Sequence, residues 1–238
     1  MSKREELKKR RQAEARRRQL TVVGIVAVAA IGIAAFLIVP QIIENSKPVG
    51  EIIAITPQPY PYATGKVLGA PEAQVVIELF SDFQCPACRQ FSETVEPQIV
   101  STYIETGQAV RLEYKHYIVV DQIVGGEESR RAAEASECAN EQGQFWNYHD
   151  LLYTNWNGEG QGAFANNRLK AFAASLTLDT AKFNSCFDSR AYGNVVTSQT
   201  NEGVSRGVSG TPTIFVNGAQ TPASWAALQT AIETGLGK

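Results

Sequence analysis

Two cysteines separated by two residues stand where a strand-like run meets a helix-like run, and this junction restricts the chain more than any other feature. Val75-Val76-Ile77-Glu78-Leu79-Phe80 is a short apolar run suited to a buried strand. Ser81-Asp82-Phe83-Gln84 follows at once, then Cys85-Pro86-Ala87-Cys88. Beyond them, apolar residues recur with helical spacing at Phe91, Val95, Ile99, Val100 and Tyr103, and the pattern closes at Gly107. Pro86 falls at the first helical position, where a missing N–H costs nothing because that group has no partner inside a helix.

The chemistry of this placement is specific. A cysteine at a helix amino terminus faces unpaired N–H groups and the positive end of the helix dipole. Both stabilise thiolate over thiol, and the thiolate is the attacking species. Cys85 is therefore expected to be the exposed nucleophile, and Cys88, one turn inside the helix, the resolving thiol. Two other uses of such a pair are weaker. Half of a zinc site would need a second pair, but Cys138 and Cys186 are far apart and form none. A purely structural four-residue ring would restrain little chain entropy. Nothing in the sequence calls for a bound metal or cofactor.

Charge is distributed unevenly. Residues 1–20 carry nine Lys or Arg against three Glu, a balance of +6, while the other 218 residues carry thirteen against twenty-one, a balance of −8. A mildly acidic body argues against nucleic-acid binding. Immediately after the basic block, Leu20 to Val39 runs for twenty residues without a charge. As a helix it would span about 30 Å, the thickness of a bilayer hydrocarbon core. Lys8, Lys9, Arg10, Arg11 and Arg16–Arg18 before it fit the positive-inside rule, which places the amino terminus in the cytoplasm and everything after Pro40 outside. A cleaved signal peptide is the competing reading. Its apolar region is usually shorter and ends at a small-x-small site, which Pro40-Gln41-Ile42-Ile43-Glu44 does not offer.

Residues 44–66 hold Pro48, Pro57, Pro59 and Pro61, a density that favours extended chain and reads as a linker, although Ile52-Ile53-Ala54-Ile55 could dock on the domain. The division expected is a basic segment 1–19, an anchor 20–43, a linker 44–66 and a domain 67–238. Within that domain, residues 110–118 read as a second strand. Helices are expected near 130–141, 145–154, 168–175 and 180–188. The chain returns to strand at Thr213-Ile214-Phe215-Val216, Asn217-Gly218 signals a hairpin, and 223–234 suits a last helix.

Several ordered motifs carry a resemblance: Gly69-Ala70-Pro71-Glu72-Ala73, then VVIELFSDFQCPACRQF, ECANEQGQFWNYHDLL and GVSGTPTIFVNG. Together they make the stretch from about Val67 to the carboxyl end resemble the DsbA-like family of extracytoplasmic thioredoxin-fold proteins, in particular the membrane-anchored Gram-positive and actinobacterial type. The resemblance implies an α/β protein: a thioredoxin fold with an inserted helical domain at about 121–206, preceded here by one transmembrane helix. By the same resemblance Pro212 is a cis-proline facing the active-site pair, Thr211 offers backbone contacts to the substrate chain, and Pro86 and Ala87 tune the pair they separate. A buried acid that assists proton transfer to the inner thiol would be Glu78, though a carboxylate facing solvent fits that position nearly as well. Outside the cytoplasm an even number of cysteines is usually fully paired. By elimination Cys138 and Cys186 would form a structural disulfide, as similar relatives do; a second redox pair is the alternative.

His149 and His116 read as packed residues. Phe83, Phe145, Trp146 and Trp156 suit either a substrate groove or the core. The resemblance favours oxidation of cysteine pairs in secreted or surface proteins, with reoxidation by a membrane quinone-linked partner of the DsbB or vitamin K epoxide reductase-like type. Strong oxidases often carry Pro-His between the cysteines, and Pro-Ala here points to a less oxidising pair. A reductase or isomerase fed by a membrane electron donor, and a non-catalytic thioredoxin-like binding module, are the alternatives.

Overall fold

The structure, a computed structural model, describes residues 3–46 and 49–238. The chain divides into two compact units, residues 1–48 and 49–238. In the first, helix α1 runs Lys3–Ser46, and Arg16–Phe36 is long and apolar enough to cross a membrane. Its described apolar side chains, Phe36 and Ile31 among them, are exposed.

The second unit is built on a six-stranded sheet: β1 (Ala63–Thr64), β2 (Val67–Gly69), β3 (Val75–Ser81), β4 (Val110–His116), β5 (Thr213–Val216) and β6 (Ala219–Thr221). The spatial order is β1-β2-β4-β3-β5-β6. β3 and β4 are parallel, pairing Leu79 with Tyr114 and Ser81 with His116, and β5 returns antiparallel to β3. Parallel neighbours need a crossover. Here it is α2 (Pro86–Thr94) and α3 (Glu96–Ile99), prolonged by a wide turn at Val100–Ile104. Val75, Ile77 and Leu79 on β3 and Val110, Leu112 and Tyr114 on β4 alternate onto one buried face, as the pleat requires. Asn217 and Gly218 both have positive φ, 49° and 81°, which a two-residue hairpin of matching twist demands. Gly69 allows another close approach, since a Cβ there would lie 2.2 Å from the Val110 carbonyl oxygen.

Between β4 and β5 stand the helices α4 (Val120–Val124), α5 (Glu128–Asn140), α6 (Phe145–Thr154), α7 (Asn166–Ser175), α8 (Thr180–Asp188) and α9 (Gly193–Ser205); α10 (Trp225–Gly235) closes the chain. Tyr148, Phe164, Phe172, Phe183 and Phe187 are fully buried in this helical part. A disulfide joins Cys138 on α5 to Cys186 on α8, with Cα atoms 5.9 Å apart.

The segment expected as a linker packs on the domain through the Ile52–Ile55 run, and further than that run alone. Residues 49–66 belong to the compact unit, so the boundary falls at Val49. Asn155 accepts from the Ile53 N–H at 2.9 Å and donates to the Ile53 carbonyl at 2.9 Å; Asn147 does the same for Gln58, at 2.8 and 3.1 Å. Ile52, Ile55 and Tyr60 pack on the core. Proline prevents a regular ladder, but two side-chain amides supply the donor and acceptor that a neighbouring strand would have given.

Candidate active site

Cys85 is the residue that caps α2, with extended backbone (φ −72°, ψ 123°), and Pro86 opens the helix. Pro86 and Ala87 are exposed and Cys88 is 1% exposed, but Cys85, expected above to be the exposed nucleophile, is itself buried, 9% exposed, because its thiol packs against Thr211. The loop before Cys85 is tied down on every side. The buried Asp82 carboxylate accepts from the N–H groups of Gln84, Val119 and Val120 at 2.9–3.0 Å. Gln84 donates to Asp121 and Ser129 and accepts from the Gly160 N–H. Trp156 donates its ring N–H to the Gln84 carbonyl at 2.7 Å, and Arg89 lies over its ring at 5.3 Å. Such bracing fixes the sulfur of the capping residue relative to the helix end.

The two thiols have opposite environments. The Cys85 thiol is lowered to about 6, chiefly by a hydrogen bond from Cys88, then by Thr211 and the N–H groups of Cys88 and Ala87, with burial opposing. Burial pushes Cys88 well above the ordinary thiol range, and the adjacent Cys85 adds to this. Thr211 reaches both sulfurs from the far side. As a thiol, Cys85 donates to the Thr211 carbonyl at 3.3 Å; the Thr211 hydroxyl is buried without another partner. The carbonyl favours the thiol, so ionisation exchanges that contact for donors. The Thr211–Pro212 peptide is cis.

The structure thus brings Cys85, Cys88, Thr211 and Pro212 together, and it leaves Glu78 out. Ser81 contacts Cys88, and Glu78, three residues earlier on β3, points to the opposite face of the sheet. There Arg206 holds it bidentately at 2.7 and 2.9 Å and Lys115 lies at 3.2 Å, so its carboxyl is held below the usual range. It cannot hand a proton to Cys88. Phe83, Phe145 and Trp146 are core residues, at most 2% exposed; of the four aromatics only Trp156 reaches the active-site rim. His149 and His116 are fully buried. His149 meets Asp150 at 3.0 Å and Glu96 at 3.8 Å, and His116 meets Glu137 at 3.2 Å. Among the described residues, no group of three or more His, Cys, Asp or Glu is placed to hold a metal.

The sequence did not single out Asp82, Gln84, Ser81, Tyr114 or Tyr153. Ser81 and Tyr153 hydroxyls are 3.0 Å apart behind Cys88, and Tyr114 stands beside them. Asp82 and Gln84 could have been suspected from adjacency to the cysteines; the tyrosines come from distant elements and leave no local signal.

Comparison with known proteins decides the family. The thioredoxin family model matches residues 62–234. The chain belongs to the thioredoxin family. Within it, this is a DsbA-like thiol–disulfide oxidoreductase. It is 27% identical to the probable disulfide bond formation protein D of Bacillus anthracis, over 92% of this chain and 98% of that one. The oxidised BdbD structure from Bacillus subtilis superimposes with a TM-score of 0.65 at 24% identity, covering 79% of this chain and 100% of that one. The reduced DsbA structure from Mycobacterium tuberculosis gives 0.59 at 26% identity, covering 74% and 91%.

Proposed function

We propose that this oxidoreductase donates disulfides to cysteine pairs of secreted or surface proteins by exchange at Cys85–Cys88. In the first step a substrate thiolate attacks Cys85 Sγ. The Cys85–Cys88 bond breaks, a substrate–Cys85 disulfide forms, and the electron pair leaves on Cys88. The second substrate thiolate then attacks the substrate sulfur, expelling Cys85 as thiolate. The substrate leaves oxidised and the enzyme pair reduced.

The observation that carries the direction is the lowered Cys85 thiol. A thiol near 6 instead of 9 makes the reduced pair about tenfold more favourable at pH 7, about 1.4 kcal/mol or about 30 mV for two electrons. Water at the mouth of the site screens this, so that figure is an upper value. A lower pKa also makes Cys85 the better leaving group in the second step. The relatives' printed role in disulfide bond formation agrees with this direction.

In this reading residues 1–19 stay in the cytoplasm, 20–43 anchor the chain uncleaved, and the redox unit lies outside. A membrane quinone-linked oxidase of the DsbB or vitamin K epoxide reductase-like type restores the disulfide, and Cys138–Cys186 is structural. The test is a single-turnover mixing of the oxidised full chain in detergent with a reduced two-cysteine peptide. Stoichiometric peptide disulfide, lost in Cys85→Ser, is the expected result. Peptide that binds but stays reduced would leave only a binding module.

A further inference from the structure

A cavity of about 640 Å³ is bordered by the segment at 58–62, by α2, α3 and the turn after them, and by α6. That volume suits a small molecule. The segment that borders it is fixed in place: Asn147 holds the Gln58 backbone, and the Tyr60 hydroxyl donates to Asp150 at 2.5 Å. Leu68, Val100 and Ile104 supply apolar wall. The charged lining residues are Glu93, Glu96, Glu105 and Asp150, and among the described residues no Lys, Arg or His lines the cavity. Glu93 is already engaged by Arg89 at 2.7 Å. Glu96 is the unusual member. It is 7% exposed, and neither of its carboxylate oxygens accepts a hydrogen bond from a described residue. Its Oε2 lies 3.8 Å from His149 Nε2, beyond hydrogen-bond reach, and both atoms are buried without a partner. The other ring nitrogen of His149 meets Asp150 at 3.0 Å. Even with His149 protonated, one imidazolium faces two carboxylates, and one negative charge stays uncompensated. A buried carboxylate without a full partner is costly. Burial pushes the Glu96 carboxyl up to about 7, against His149 and with Asp150 adding.

We propose that this cavity binds a small organic cation, an ammonium group on an apolar body, with the ammonium beside Glu96 and Asp150. The ammonium donates to the Glu96 oxygens that no protein group serves, and it supplies the positive charge that the lining lacks. The apolar body lies along Leu68, Val100 and Ile104, and Tyr60 and Tyr62 add aromatic surface, which suits a cation. A neutral molecule of the same shape would leave Glu96 unpaired, and an anion would be repelled by four carboxylates. No bond is made or broken here, so the site is independent of exchange at Cys85–Cys88.

The experiment titrates the full chain in non-ionic detergent with 2-phenylethylammonium chloride by calorimetry, subtracting the same titration into detergent alone. The comparison probes are 2-phenylethanol and 3-phenylpropanoate, which carry the same ring with a neutral or a negative head. The expected result is saturable binding of the ammonium, about tenfold or more tighter than either comparison probe. Glu96→Gln should weaken it by about tenfold or more, the loss of one hydrogen bond to a charged group. Ser101→Trp fills the cavity from its exposed edge, leaves both carboxylates in place and should weaken binding likewise; it carries the test if Glu96→Gln does not fold. Cys85→Ser should bind the ammonium as the parent does. No saturable binding, equal binding of all the probes, or an affinity unchanged in either cavity variant would overturn the proposal. So would loss of binding in Cys85→Ser, because that places the probe at the redox pair.

Discussion

Replacing Cys88 by alanine should raise the Cys85 thiol, because the hydrogen bond from Cys88 is the largest influence holding it near 6. A hydrogen bond to a charged group is worth about 1.5–3 kcal/mol, and one pKa unit is 1.36 kcal/mol, so its loss shifts the midpoint by about one to two units. The site is partly open to water, which favours the lower end. At pH 7 the thiolate fraction would fall from about nine-tenths to between about one-half and one-tenth. Cys88→Ser keeps an O–H donor at the same place and should leave the midpoint near 6. In both variants Cys85 is the single free thiol, since Cys138 and Cys186 are bonded to each other. The initial rate of iodoacetamide alkylation, followed from pH 4.5 to 9, therefore reports Cys85 alone. An alanine variant whose midpoint stays near 6 would refute the reasoning. It would assign the thiolate to the helix N–H groups and Thr211.

Other expectations follow from the same geometry. Removing the second disulfide as Cys138→Ser/Cys186→Ser frees a loop with a sequence separation of 48, a loss of about 4 kcal/mol on the chain-entropy model; urea denaturation should show it, with glutathione exchange in the folded fraction unaltered. Glu78→Gln should leave the exchange rate and its pH profile unchanged, because its carboxylate lies across the sheet from Cys88 and serves Arg206 and Lys115. Its stability effect, no more than about 1 kcal/mol after solvent screening, has a definite sign. The folded-state pKa is depressed, so the contribution is present above the unfolded carboxyl value near 4.5 and disappears as pH falls through the folded one. Melting temperatures of parent and variant should therefore converge in acid.

What the sequence made legible was whatever is local. A strand, a Cys-x-x-Cys and a helix in succession specify the α/β crossover, and Asn217-Gly218 specifies its hairpin, because the governing physics acts within a few residues. Glu78 shows where that stops. Alternation along β3 puts Glu78 and Ser81 on opposite faces, yet which face receives α2 is a tertiary fact. The strap at 49–62 was legible only in part: the Ile52–Ile55 run allowed docking, while proline density describes what the segment cannot do alone, and Asn147 and Asn155, some ninety and a hundred residues later, supply the contacts that hold it. The hydroxyls behind Cys88 come from β3, β4 and α6, and no spacing rule brings three such elements to one sulfur.

The most direct test of the central claim, disulfide donation, is the reduction potential of the full chain, equilibrated with glutathione at pH 7. A value between about −120 and −180 mV, the range of DsbA and protein disulfide isomerase, is the expected result. A value near about −270 mV, like thioredoxin, would contradict it and make the pair a reductant.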